Sequence, residues 1–150
     1  MLFHLTDRID GYVPGQSIRA RKLTSRLETY WVDSPDGPVM PPALVLETLC
    51  QAGAWLVMLT TDVRRRATLL SLAGADFRGA VRPGDELTVE ATVSAFSDEA
   101  AVMSGEIRVA DRVVLAANDL MCALIDTGEL DDPAATRSRL DHLTRAGARS

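Results

Sequence analysis

The sequence is poor in cysteine, histidine and lysine. Its 150 residues include two cysteines and two histidines, and fifteen of its sixteen basic residues are arginine. Both cysteines, Cys50 and Cys122, fall in apolar runs, so we expect buried thiols in a reducing compartment rather than a disulfide. No metal-binding motif, phosphate loop or nucleotide fingerprint is visible. We therefore expect neither a bound metal nor a cofactor.

Positive net charge and a long uninterrupted apolar run are also lacking. The net charge is −5, which argues against nonspecific nucleic-acid binding, because that binding needs a basic face. The apolar run 43–59 has only seventeen residues and is interrupted by Glu47 and Gln51, so it indicates a buried helix rather than a membrane span. The first residues, MLFHLTDRID, do not have the pattern of a signal peptide. We expect a cytoplasmic protein of one domain.

What the sequence does contain is one long apolar helix followed by alternating segments. Pro41 and Pro42 suit a helix start, because proline lacks the N–H that is unpaired there, and the helix is expected to end near Thr61. Since it is apolar on nearly all sides, we expect it to be enclosed. Residues 16–32 predict one or two strands with a break at Thr24–Ser25. Further strands are predicted at 68–77, 86–96, 100–110 and 112–125, with a turn at 82–85 and a tight hairpin at Asp111. The fold class is α+β, with an antiparallel sheet curled around a central helix.

The segment from Thr127 onwards is charged and rich in small residues. Asp132 followed by Pro133 predicts the start of a short helix that carries Leu140 and Leu143. We expect residues 1–126 to form the domain and residues 127–150 to be a peripheral, partly disordered tail.

Four segments resemble the β-hydroxyacyl-acyl-carrier-protein dehydratases, the FabA/FabZ type, of fatty acid and polyketide synthesis. They are Asp7-Arg8-Ile9 with Pro14-Gly15, PVMPPALVLETLCQAGAWL at 38–56, ADFRGAVRPGDEL at 75–87 and ANDLMCALID at 117–126. Their order and spacing agree over about 120 residues. The resemblance implies a hotdog fold, a sheet wrapped around one long helix, with subunits paired as dimers. It also implies an acyl carrier protein as the partner.

Members of that family place a histidine in the loop before the helix and an acid on the helix, fourteen residues apart. The histidine takes the α-proton of a 3-hydroxyacyl thioester, and the acid, from the other subunit, helps water to leave. A glycine N–H binds the thioester carbonyl. The resemblance assigns the acid to Glu47, the histidine position to Asp33 and the glycine position to Pro42. The acid is therefore retained, and the other two elements are replaced.

These replacements weaken the site of a single chain. Imidazole suits proton abstraction near neutral pH, whereas an aspartate needs burial or a second carboxylate, such as Asp36 or Glu47, to become a comparable base. Proline has no N–H, and loss of one oxyanion donor costs about 10²–10³ in rate. Ala43 keeps a free first-turn N–H that can bind the carbonyl in a shifted position. Gln51 lies one turn after Glu47 and is expected to hydrogen-bond it.

The remaining charged candidates have two interpretations each. His4 and His142 are expected to be surface or packing residues rather than replacements for the lost histidine. A set of five arginines is either a patch that docks an acidic carrier protein or ordinary solvated charge. These arginines are Arg64, Arg65, Arg66, Arg78 and Arg82.

Three functions remain open. The first, which we favour, is a subunit of a heteromeric dehydratase acting on acyl carrier protein thioesters in bacterial fatty acid or polyketide biosynthesis. In it a partner supplies the histidine and this chain supplies Glu47. The second is a thioesterase that uses Glu47 as base or nucleophile and the Ala43 N–H as the carbonyl donor. The third is an acyl- or carrier-protein-binding homologue without chemistry, which would be a homodimer.

Overall fold

Six strands and three helices make up the part of the chain that the structure, a computed structural model, describes, namely residues 4–130 and 132–148. In chain order they are β1 (Arg8–Val13), β2 (Ser17–Leu23), α1 (Pro42–Thr60), β3 (Arg65–Phe77), β4 (Glu86–Phe96), β5 (Ala100–Val109), β6 (Arg112–Asp126), α2 (Thr127–Leu130) and α3 (Pro133–Ala148). The strands form a single sheet in the order β1-β2-β4-β5-β6-β3, and every neighbouring pair is antiparallel. The predicted α+β class is confirmed.

Most predicted elements agree with the structure within a few residues. The hairpin at Asp111 joins β5 to β6, and the Asp85 N–H donates to Arg82 O at 3.0 Å in the predicted turn. Two differences stand out. The edge strand β1 was not predicted, and residues 24–32 form a loop rather than a second strand, joined to the chain before α1 by one bridge between Val32 and Val39.

Helix α1 lies across the concave side of the sheet. Its buried face carries residues such as Leu49, Ala52 and Leu56, and its start has no side-chain cap. Pro42 removes one of the N–H groups that would otherwise lack a partner there. The opposite face, which includes Leu46 and Cys50, is only half-buried. The expected complete enclosure is therefore wrong for a single chain. The helix is long and apolar enough to cross a membrane by length and composition, and 44% of that window is buried within the fold.

The tail after β6 is more ordered and better packed than the sequence suggested. Helix α3 has sixteen residues and packs against β1. Leu140 is buried and Leu143 has 0% exposure, so both leucines belong to the core. Arg137 pairs with Asp62 at 3.0 Å beyond the end of α1. Helix α3 is therefore longer and more closely packed than the short helix expected from the sequence. Residues 131, 149 and 150 of the tail lie outside the described residues.

Strand β3 forms one edge of the sheet and is unusually exposed for an apolar strand. Leu69, Leu70 and Phe77 are 42%, 63% and 45% exposed. A long apolar edge of this kind offers unpaired backbone groups to another strand.

The one lysine of the sequence, Lys22, is buried on β2 with 5% exposure. Its ammonium group lies 3.0 Å from a Glu28 oxygen and 3.4 Å from an Asp7 oxygen, and it donates to Leu23 O at 2.7 Å. A buried ammonium needs such partners, because desolvation of an unpaired charge is very costly. The cluster fixes the loop that contains Glu28 against the β2 strand.

Candidate functional site

Glu47 lines a cavity of about 650 Å³ between α1 and the sheet. Its lining includes polar groups, Glu47 and Gln51 from α1 and Arg66 from β3. It also includes apolar residues, among them Leu49, Gly53, Met103, Leu120 and Ala91. A cavity that combines apolar walls with a few polar groups suits a ligand that has a polar head and a hydrocarbon tail.

The Glu47 carboxylate is held by a short chain of hydrogen bonds. The Leu5 N–H donates to Gln51 Oε1 at 2.8 Å, so the Gln51 amide has a fixed orientation. Its Nε2 then donates to Glu47 Oε1 at 3.4 Å, in agreement with the contact expected from their spacing. Gln51 therefore positions Glu47 at the cavity wall, and the N-terminal segment positions Gln51.

Asp33 lies in a different pocket, of about 570 Å³, whose walls include Asp36, Arg82 and Trp31. The loop that carries it is closed by the paired Val32 and Val39 and by a turn between Ser34 and Gly37, where Gly37 has φ +111°. The Asp33 side chain is exposed. Within one chain Asp33 shares this pocket with the carboxylates of Glu28 and Asp36, whereas Glu47 lines the other cavity.

The start of α1 faces neither of the two cavities. Pro42 and Ala43 are exposed, and the N–H groups of Leu44 and Val45 donate to Pro41 O at 2.9 and 3.2 Å. Among the described residues, the Ala43 N–H has no hydrogen-bond acceptor. It is a free donor at the helix start, and Ala43 lies outside the cavity that Glu47 lines.

Two segments far from α1 in sequence complete the Glu47 cavity. His4 comes from the N-terminal segment, and Asp132, Thr136 and Arg139 come from the region of α3. Arg139 is half-buried, and its Nη2 donates to Thr6 O at 3.3 Å. Sequence reasoning missed this wall, because no periodicity connects it to Glu47; the only signal was the apolar pair on α3. His142 is exposed and lines neither cavity.

On a single chain the five arginines form two separate groups. Arg64–Arg66 lie at one end of β3, whereas Arg78 and Arg82 follow its other end. A strand of thirteen residues separates them by up to roughly 40 Å. Arg66 lines the Glu47 cavity and Arg82 lines the Asp33 pocket, while Arg78 pairs with Asp76 at 2.6 Å.

Both cysteines are free and line the Glu47 cavity. Burial, followed by the nearby Glu47 charge, raises the pKa of Cys50 to about 12. Burial also raises the pKa of Cys122. Both thiols are therefore protonated at neutral pH and unsuited to act as nucleophiles, because the thiolate is the reactive form.

The sequence and the fold each have known relatives. A family model described as a FabA-like domain matches residues 1–118. The 3-hydroxyacyl-[acyl-carrier-protein] dehydratase FabZ of Chlamydia pneumoniae is 36% identical over 129 residues, which cover 83% of this chain and 84% of that protein. The FabZ of Chlamydia caviae is 37% identical over 134 residues, with 86% of each chain covered.

Solved structures with a similar fold are more distant in sequence. The dehydratase heterocomplex ApeI:P from Xenorhabdus doucetiae gives a TM-score of 0.67 at 17% identity, with 85% of this chain and 86% of that chain covered. A thioesterase from Haemophilus influenzae gives 0.60 at 17% identity, with 81% and 80% covered. The sheet wrapped around α1 is therefore a hotdog fold, as the resemblance implied.

Proposed function

Because the chain belongs to the FabA-like family, whose FabZ members are 3-hydroxyacyl-acyl-carrier-protein dehydratases, we propose that it is one subunit of a heteromeric dehydratase. It contributes Glu47, and a partner subunit of the same fold contributes the histidine. The substrate is a 3-hydroxyacyl thioester of an acyl carrier protein, used in cytoplasmic fatty acid or polyketide synthesis.

One observation carries this proposal: a single chain separates the two halves of the site. Glu47 lies in the cavity beneath α1, whereas Asp33 and the free Ala43 N–H lie on surfaces outside it. An exposed aspartate is a much weaker base than imidazole at neutral pH. This chain keeps the family's acid at Glu47 but has Asp33 at the position of the family's histidine. This combination favours a partner whose loop carries the histidine.

The exposed edge strand β3 supports a route by which such a partner would reach Glu47. Two subunits that pair their β3 strands antiparallel place the Phe77 end of one beside the Arg65 end of the other. The Glu47 cavity has Arg66, Ala67 and Leu69 in its wall, at the Arg65 end. Arg82, just after the Phe77 end, lines the pocket of the loop that carries position 33. Pairing along β3 therefore brings the partner's loop towards Glu47.

The same pairing supports a docking surface for the carrier protein. Arg64–Arg66 of one subunit would come close to the basic residues that follow β3 in the other. Combined in this way, the two groups would attract an acidic carrier protein and speed its association. The patch that a single chain cannot form is thus proposed for the dimer.

In the proposed reaction, the partner's histidine takes the proton from C2 of the acyl group. The C3–O bond breaks as the Glu47 carboxyl gives its proton to the departing hydroxyl, so water leaves and a C2–C3 double bond forms. Gln51 keeps the Glu47 side chain directed into the cavity. A free first-turn N–H, such as that of Ala43, would stabilise the charge that develops on the thioester oxygen.

The test mixes this chain with a FabZ-type homologue that carries the histidine, and measures enoyl product from 3-hydroxyacyl carrier protein by mass spectrometry. We expect the mixture to exceed the homologue alone, and Glu47→Gln to lower the extra rate by about 10²-fold or more. The matched control is Glu99→Gln, which changes an exposed carboxylate in the β4–β5 turn. His142→Gln, at an exposed position that lines neither cavity, should leave the rate unchanged.

Several results would overturn the proposal. If the two proteins never co-purify and the mixture is no faster than the homologue alone, there is no heteromeric enzyme. If His4→Gln abolishes the extra rate, the base comes from this chain. Glu47-dependent release of free carrier-protein thiol without enoyl product would identify a thioesterase instead. Binding of acyl carrier protein without any turnover would identify an acyl-binding subunit.

A further inference from the structure

We propose that Met103 is a gate that sets the length of the straight-chain acyl group accepted by the Glu47 cavity. The inference rests on the proposed function in one respect only, namely that the ligand is an acyl thioester. It concerns the apolar lining of the cavity. Met103 would determine which acyl chains are accepted and would take no part in the chemical reaction.

The first step is the close contact between Met103 and α1. Met103 lies on the inner face of β5 and is 3% exposed. A Cβ atom placed on Gly53 would lie 2.9 Å from Met103 Cε and 3.2 Å from its Sδ. The end of the methionine side chain therefore occupies the space that a side chain at position 53 would need. Helix and strand meet here with only a thioether between them.

The second step is that the cavity continues past this contact. Its wall includes Ala67 on edge strand β3 and Leu120 on β6, and it reaches Ala91 on β4. In the strand order β4-β5-β6-β3, β5 lies between β6 and β4. A ligand tail that enters beside β3 must therefore pass Met103 to reach Ala91.

The third step is the end wall of the cavity. Ala91 pairs with Gly105 across β4 and β5. A Cβ on Gly105 would lie only 2.7 Å from Leu49 Cδ1 and 2.3 Å from the Glu90 backbone oxygen. Helix and sheet are thus already in tight contact there. The cavity therefore has no room to widen at Gly105, and the position of the Met103 side chain decides how much of the space beside Ala91 a ligand can use.

The fourth step is that the sheet is irregular on both sides of Met103. The register with β4 shifts between Val93 and Ala95, and the register with β6 shifts between Met103 and Gly105. At the second shift Asp119 has φ 53°, and its N–H donates to Ser104 Oγ at 3.0 Å. Bulges redirect neighbouring side chains and are frequent beside functional sites. Both irregularities flank the side chain that meets Gly53.

A methionine is suited to this role because its unbranched, flexible side chain adapts to irregular spaces. Short acyl chains end before Met103 and leave it against Gly53. Replacement of Met103 by alanine removes the thioether, which opens room for about three further carbons, and each additional buried methylene strengthens binding by a factor of about four. The gate therefore predicts a defined break in the dependence of affinity on chain length.

The experiment measures, by calorimetry, the binding of non-hydrolysable acyl-pantetheine amides of increasing chain length to the wild-type chain and its variants. We expect affinity to rise with chain length up to a limit and then to level off. Met103→Ala should move the limit to chains longer by about three carbons, and Met103→Leu should keep it. The matched control is Met121→Ala on β6, whose side chain is exposed.

A second variant acts in the opposite direction. Gly53→Ala places a Cβ against the Met103 thioether and should move the limit to shorter chains. Circular dichroism establishes that each variant is folded. An unchanged limit in both Met103→Ala and Gly53→Ala would overturn the gate. If the wild-type chain binds no acyl-pantetheine amide at all, both the gate and the acyl ligand are refuted. If the mixture with the FabZ-type homologue dehydrates its substrate but the chain-length limit is the same in all variants, only the gate is refuted.

Discussion

Truncation of Leu143 to alanine tests whether α3 is part of the core and of the cavity wall. Leu143 has 0% exposure, so its loss removes apolar burial and leaves a void. Leucine-to-alanine changes at such sites cost about 2–5 kcal/mol in the free energy of unfolding. The ion pair between Arg137 and Asp62 is exposed, with 51% and 84% side-chain exposure, and pairs of that kind contribute about 1 kcal/mol or less. Arg137→Ala is therefore the matched control on the same helix.

The assay is urea unfolding followed by circular dichroism at a fixed protein concentration, since association with another subunit would itself add stability. Limited proteolysis of the α3 segment shows whether the helix detaches before the rest unfolds. We expect Leu143→Ala to lower the free energy of unfolding by at least twice as much as Arg137→Ala, or to make α3 the first site of cleavage. If the two variants have the same free energy of unfolding and the same resistance to proteolysis, the packing of α3 against β1 is not what keeps α3 in place.

Two further predictions concern single positions in the sheet and the cavity. Gly105→Ala should lower the free energy of unfolding by about 1–3 kcal/mol, because the new Cβ would lie 2.3 Å from the Glu90 backbone oxygen. Gly74→Ala should be neutral or slightly stabilising, because nothing lies within 4 Å of a Cβ at that position. Equal melting temperatures for the two variants would contradict this prediction. The pKa of Cys50, raised to about 12 by burial, predicts that alkylation of this thiol is slow at pH 8 and accelerates about tenfold per pH unit towards pH 11. A rate that is flat over that range would refute it.

The regular elements could be predicted because their patterns are local. The alternation from Glu86 to Phe96 matches β4 residue for residue, and the paired prolines mark the start of α1 at Pro42. Strand β1 was missed because Gly11 and the charged residues around it obscure the alternation, and the pairing is irregular between Ile9 and Gly11. Edge strands of this kind are held by their neighbours rather than by their own propensity.

The site could be predicted only where it depends on α1. Glu47 and Gln51 share one face of a helix, so their contact follows from the spacing. The wall formed by Arg139 and Thr136 depends on how α3 packs, and that is determined by tertiary contacts of residues far apart in the chain. The grouping of the arginines could not be predicted for a geometric reason: one group lies at the start of β3 and the other follows its end, so the length of the strand separates them.

The burial of Lys22 has a practical consequence for anyone who wants to trap the proposed complex. With its single ε-amine enclosed by Glu28 and Asp7, the folded chain offers no lysine at its surface to acylating reagents. Cross-linkers, biotin esters and fluorophore esters that acylate lysine side chains should therefore find no target on the described surface, however tightly a partner is bound. Coupling through carboxylates, or through a cysteine introduced at an exposed position of β3, reaches the surface where a second subunit is expected.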